Sequence, residues 1–279
     1  MRCKRILQGI RVANADEWSC MRCKRILQDI RVANADEWSF MRCKRIIQGI
    51  CVANADQWRG EIDFVLNGIS LYLHGNMYYS IVNFLIKRIF PSLEWNIKTH
   101  EKIIYLTFDD GPIPEVTPWV LQQLKGYDAK ATFFCVGENV KKHPEIFAQV
   151  KSENHQLGHH TFSHLNGWKT KNESYFSDVE KGNAVCPSPL FRPPYGKLKR
   201  TQIQVLKKHY RIIMWDVLSY DFDKNCSPEK CFQNVLKHAT NGSIIVFHDS
   251  LKAEQNLRYA LPKVLDYFSK KGYRFEAIA

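Results

Sequence analysis

The sequence has no apolar run that reaches the roughly 18 residues a membrane-spanning helix needs. Its nearest approaches are Phe64 to Leu73, broken by Asn67 and Gly68, and Met77 to Phe90, which ends on Lys87 and Arg88. Such stretches suit a helix packed on a domain or lying on a membrane surface, so peripheral membrane contact through 77–90 stays open. No signal peptide is convincing: Met1 has no apolar core behind it, and Met77 has neither a basic lead nor a small-residue cleavage site. A disulfide framework is also missing. Of the nine cysteines, Cys3, Cys20, Cys23, Cys43 and Cys51 fall in the first 60 residues, which leaves Cys135, Cys186, Cys226 and Cys231 for the rest. Cys20 and Cys23 have zinc-ribbon spacing, but the next junction reads Phe40 and Cys43, so no second pair completes a structural zinc site. Finally, no basic stripe is interleaved with stacking aromatics as a nucleic-acid groove requires.

What is present supports a folded chain. Apolar residues make up 45% and aromatics 13% of 279 residues, enough for a sizeable core. The net charge is +12, but residues 1–60 hold twelve Lys/Arg against six Asp/Glu and so supply half of it. Those residues are three copies of one 20-residue unit starting at Met1, Met21 and Met41. Copies one and two differ only at Gly9/Asp29 and Cys20/Phe40. Solenoid repeats diverge while keeping a buried stripe, whereas near-identity points to recent duplication. The expected organisation is therefore 1–60 outside the fold, 61–98 a connecting segment with a short apolar helix, and 99–279 the domain.

From Lys102 onward, strand-like runs (103–108, 131–136, 155–159, 190–192, 211–215, 243–247 and 273–275) alternate with segments of helical period (118–124, 144–151, 202–208, 228–237 and 257–270). This alternation predicts an α/β fold: a distorted (β/α) barrel of about seven parallel strands. Asp109, Asp110, His160, His164, Arg192 and His248 all fall at or just past the carboxyl ends of these strands, where barrel active sites are built.

Thr107-Phe108-Asp109-Asp110-Gly111-Pro112 places two adjacent carboxylates where a buried strand meets a Gly-Pro turn. Such a pair reads either as a solvated turn or as a site in which a cation or a base role separates their protonation. His160 and His164 share a face if their segment turns helically, as two metal ligands require. With Asp110 they make a three-ligand set that leaves positions open for water and substrate. Phe191-Arg192-Pro193-Pro194-Tyr195-Gly196 is a proline-fixed turn able to aim Arg192 at a carboxylate and offer the Tyr195 amide to an oxyanion. His248 closes an apolar strand and reads either as a structural residue or as the general acid the set still lacks, while Trp215-Asp216 and Asp221-Phe222 end segments in carboxylates.

In order, 107–112, 160–164, 192–196, 221–222 and 246–248 resemble the five motifs of the polysaccharide deacetylases, the NodB-homology group of carbohydrate esterases. The resemblance spans roughly residues 99–279. It implies a divalent metal, commonly zinc, and removal of acetyl groups from amino sugars in polymers such as chitin or peptidoglycan. It also implies the roles: Asp109 as general base, Asp110, His160 and His164 as metal ligands, and Arg192 orienting Asp109. The Tyr195 amide would bind the oxyanion, and His248 would be the acid, tuned by Asp221. The partner implied is an acetylated polysaccharide or oligosaccharide, and association with a cell envelope is compatible with it. Two other readings stay open: hydrolysis of O-acetyl esters or other amides, and a catalytically silent glycan-binding module. The chain departs from the family pattern at His159 (often Asn), Phe222 (often Trp), Val246 (often Leu) and Leu218 (often Asp), which bears on substrate preference and leaves it undecided whether His159 enters the ligand shell. If residues 1–60 are dispensable, a chain starting near Met77 keeps its fold and activity; loss of folding on that truncation refutes the expectation.

Overall fold

The computed structural model describes residues 87–279; the repeats of 1–60 and all but the last twelve residues of the 61–98 segment lie outside the described residues. The elements run β1 (Ile103–Asp109), α1 (Thr117–Lys125), β2 (Ala131–Cys135), α2 (Gly137–Lys142), α3 (Pro144–Ser152), β3 (Gln156–His159), α4 (Asn172–Val185) and β4 (Leu190–Phe191). They continue with α5 (Arg200–Leu206), β5 (Arg211–Ile212), β6 (Val217–Leu218), α6 (Pro228–His238), β7 (Ile244–His248), α7 (Glu254–Lys270) and β8 (Arg274–Phe275). No helix among the described residues is long and apolar enough to cross a membrane.

Parallel strands covered by helices on both faces are read as unbroken apolar runs. β1 fits this: all seven of its residues are buried, and it pairs in parallel with β2, β7 and β8. The sheet order is β5-β4-β3-β2-β1-β7-β6, with β8 alongside β1. The predicted barrel is thus present, with short outer strands and an open seam between β5 and β6. Chain ahead of β1 lies at that seam. Glu94 bridges to Ile213 and Asn96 to Ser243; the Glu94 amide donates to the Ile212 carbonyl (3.0 Å) and the Ile97 amide to that of Gly242 (2.9 Å). The third-from-last predicted strand, 211–215, is shortened to Arg211–Ile212, because Ile213 and Met214 pair with this leading segment instead.

The helices follow from ordinary signals. Pro118 and Pro228 sit in the first turns of α1 and α6, where a missing N–H costs nothing. Ser227 caps α6 by accepting the Lys230 amide (3.2 Å), a contribution of about 1 kcal/mol. Between helices and sheet, Phe108 of β1 packs against Phe133 of β2 (ring centroids 5.0 Å apart) and Phe247 of β7 (6.2 Å). Each such ring contributes about 1.5–3 kcal/mol by burial. This apolar layer lies directly beneath the next residues in register, Asp109 and His248, so the floor of the carboxyl end is rigid.

One core contact is sensitive to acid. His155, just before β3, is buried and accepts the Ala131 amide of β2 on Nδ1 (3.2 Å). Burial, with Lys130 nearby, lowers it from 6.5 to about 4. The folded state therefore binds this proton later than the unfolded state does, so the stability it contributes is complete above 6.5 and is lost as pH falls toward 4. Urea unfolding between about pH 7 and pH 4.5 should show a steeper loss of stability for the unmodified chain than for His155→Gln; equal slopes would contradict this.

Candidate active site

The carboxyl ends of β1, β3, β4, β6 and β7, with the loops that follow, bring all eight sequence-predicted residues to one end of the sheet. Asp109 and His248 are direct partners in the β1–β7 register. Asp216 is not part of the group: it accepts the Ile244 amide (2.8 Å), which puts it at the opposite end of β7, whereas the Trp215 ring lies 5.8 Å from the Arg192 guanidinium carbon.

Arg192 holds the centre. Its side chain has no solvent exposure, so every donor needs a partner. Nε donates to the Ile213 carbonyl (3.2 Å), and one terminal nitrogen donates to the Met214 carbonyl (2.9 Å). The other reaches Thr107 Oγ1 (2.6 Å) and Asp109 Oδ1 (2.7 Å). Removing one partner of a buried pair strands the other charge, at a cost of about 3–5 kcal/mol. Asp109 is thereby fixed in place.

Asp110, the next residue, faces elsewhere. Its φ of +81 turns the chain so that Oδ1 lies 3.2 Å from His164 Nε2 and 4.0 Å from His160 Nε2. One ligand atom from each of the three lies within 4.8 Å of the others. The donor chemistry fits a divalent cation. His160 Nδ1 lies 2.7 Å from the Arg192 carbonyl, which can only accept, so the proton is on Nδ1 and Nε2 keeps its lone pair. Burial lowers His160 to about 4, so it is neutral at neutral pH. Burial opposes the charge on Asp110, but its hydrogen bond to His164 and the charges of His248, His160 and His164 together hold its carboxyl well below the usual range. His164 follows from a loop, with φ of +55, and its ring packs edge-on against Tyr195 (4.7 Å). Tyr195 itself is 59% exposed with φ of +60, at the rim.

His248 and Asp221 form a second pair. Asp221 takes the His248 ring Nδ1 on one oxygen (2.7 Å) and its amide on the other (2.7 Å). Burial alone would lower His248, but Asp221, then Asp110 and Asp109, raise it to about 9. Phe222 packs edge-on against the His248 ring (5.0 Å).

The open question at His159 is answered by its packing. The ring is buried against Phe191 (4.9 Å) and Tyr210 (4.8 Å), with neither nitrogen hydrogen-bonded, so it points away from the ligand group. Burial pushes it down to about 3. Four supporting residues have no signal in the sequence. Asn139 Nδ2 donates to the Asp110 carbonyl (2.7 Å), and Asn256 Nδ2 to the carbonyl of Asp221 (2.9 Å). Thr117 and Asp249 hydrogen-bond each other behind the turn. Each is a single polar residue acting on backbone across elements, with no spacing to betray it.

The profile of the polysaccharide deacetylase family matches residues 96–211. A peptidoglycan-N-acetylglucosamine deacetylase of Bacillus cereus is 35% identical over 192 residues, covering 66% of this chain and 90% of that protein. A chitooligosaccharide deacetylase of Azorhizobium caulinodans is 32% identical over 57% of this chain and 79% of its own length. Among solved structures, a peptidoglycan N-acetylglucosamine deacetylase in complex with an N-hydroxybenzamide superimposes with a TM-score of 0.63 at 32% identity, over 67% of this chain and 91% of that one.

The Asp221–His248 pair sets a measurable titration. In metal-free protein the His248 imidazole should keep its proton up to about 9. In Asp221→Asn, where burial is less opposed, the midpoint should move down toward 6.5. Proton NMR of the histidine ring signals against pH reads this, and an unmoved midpoint would refute the coupling.

Proposed function

Because the chain belongs to the polysaccharide deacetylase family, we propose that it is a hydrolase removing acetyl groups from N-acetylated amino sugars of a peptidoglycan-type polymer, working at the cell envelope. The observation that supports this most is the convergence at one sheet end of an Arg192-held Asp109, the Asp110, His160 and His164 group, and the Asp221–His248 pair. We assign the activity to residues 99–279 and treat 1–60 as dispensable.

In this reading Asp110, His160 and His164 hold a divalent cation, zinc by preference for a donor set of two imidazoles and one carboxylate. When bound, it supplies Lewis acidity toward the acyl oxygen and acidifies water. Asp109 accepts the proton of the attacking water, and Arg192 keeps its carboxylate aimed through their 2.7 Å hydrogen bond. The Tyr195 amide donates to the acyl oxygen as charge develops there, a role that contributes roughly 3–4 kcal/mol in other hydrolases. His248 donates from Nε2 to the leaving amine, since Nδ1 is committed to Asp221. The products are acetate and a free amino sugar. Phe222 and Val246 form the apolar wall near the acetyl methyl.

Acetate release from peptidoglycan, chitin oligomers and acetylated xylan tests the substrate class. Release from the amino-sugar polymers is expected; release only from xylan would mark an O-acetyl esterase, and none at all a silent binding module. Asp110→Ala should lose metal. Asp109→Asn and His248→Ala should retain metal and lose about 10²–10⁴-fold in kcat; unaltered kcat in these two would overturn the roles.

A further inference from the structure

The turn bearing Asp109 and Asp110 is gripped by a residue outside the proposed chemistry. Asp249 follows His248 at the end of β7 and is buried. Its amide donates to the Asp109 carbonyl (3.1 Å), and its Oδ1 accepts the Gly111 amide (3.0 Å). Its Oδ2 takes the hydroxyl proton of Thr117 (2.5 Å), and that hydroxyl oxygen accepts the Ile113 amide (2.8 Å). From the other side Asn139 holds the Asp110 carbonyl (2.7 Å), and the Val136 amide donates to the Gly111 carbonyl (3.0 Å). Asp110 sits between these holds at φ +81, a conformation that is costly for a non-glycine residue and persists only where its surroundings impose it.

The glycine next to it has a separate cause. Gly111 is not in the left-handed region, so its backbone does not demand glycine. A Cβ there would instead run into Asp249, whose Oδ2, Cγ and Oδ1 are the three nearest atoms to that position. Asp249 thus occupies the place of the missing side chain and bonds the amide beside it.

We propose that Asp249 is a positioning residue: by clamping Asp109 and Gly111 it sets the turn that points Asp110 toward His160 and His164 while Asp109 stays on Arg192, and so governs metal affinity without touching metal. This rests on the reading of Asp110, His160 and His164 as metal ligands.

The test is zinc affinity, read by competition with a chromophoric chelator, with circular dichroism to confirm folding. Asp249→Ala should bind zinc about 10–100-fold more weakly, as loss of a partner behind a ligand does, and should lower kcat on an acetylated oligosaccharide with little change in KM. Asp249→Asn keeps an acceptor for Gly111 and should recover most of the affinity. Gly111→Ala alone should lose affinity to a similar degree, because its methyl meets the carboxylate. In the Gly111→Ala, Asp249→Ala double variant the losses should fall well short of multiplicative. Wild-type zinc affinity in Asp249→Ala, a loss in Asp249→Asn equal to that of alanine, or multiplicative losses in the double variant would each overturn the proposal. The zinc arm uses no substrate, so its result is independent of whether the unmodified chain releases acetate.

Discussion

A guanidinium with no access to water must satisfy every N–H within the protein, and Arg192 does so with two backbone carbonyls, a hydroxyl and a carboxylate. The partners come from β1 and from the chain after β5, so the group ties together two parts of the sheet that β2, β3 and β4 separate. Its own carbonyl then takes the Nδ1 proton of His160. One residue thus fixes a carboxylate through its side chain and an imidazole tautomer through its backbone. Were Arg192 displaced, the position of Asp109 and the protonation pattern of His160 would change together.

Around this anchor, two neighbouring carboxylates of the same sequence dipeptide are kept apart by what each faces. Asp109 meets a permanent cation in a closed pocket, whereas Asp110 meets imidazoles at a half-open rim. The separation is mechanical as well as electrostatic, since the positive φ at Asp110 reverses the direction of the chain between them. Opposite, the Asp221 carboxylate overcomes the burial penalty on His248 and holds it protonated. Two carboxylates and a protonated imidazole, each facing a different partner, thus share one end of the sheet.

Much of this was legible in the sequence because buried parallel strands are continuous apolar runs and barrel sites collect where those runs stop. The runs at 103–108, 131–136 and 243–247 were found to within a residue at each end. Two helices were not. Asn172–Val185 is largely polar and buries only Tyr175, Asp178, Val179 and Gly182, too sparse a face to register as helical period. Gly137–Lys142 is under two turns long and is set off from the next helix by the non-helical His143. The two-residue strand Val217–Leu218 owes its pairing to β7 and not to its own composition. Within the site, ordered motifs identified the ionisable groups, but Asn139, Thr117, Asn256 and Asp249 act through hydrogen bonds across long sequence separations, which no local pattern encodes. His159 shows the converse: it stands next to His160 in the sequence, and the alternation of side chains along β3 turns it to the other face.

The position of β1 in the sheet has a consequence in time. β1 is the first strand of the described chain, yet its neighbour β7 begins at Ile244 and β8 at Arg274, close to the carboxyl terminus. Such distant pairings close late, because the intervening chain must be ordered first. During synthesis the chain carries Asp110, His160 and His164 well before Asp221, His248 or Asp249 exists. The group that resembles a metal site is therefore complete in composition while β1 still has one edge bare. A nascent chain halted at that stage holds Asp110, His160 and His164 but not His248, and the strand that brings His248 is the same one that covers the exposed edge.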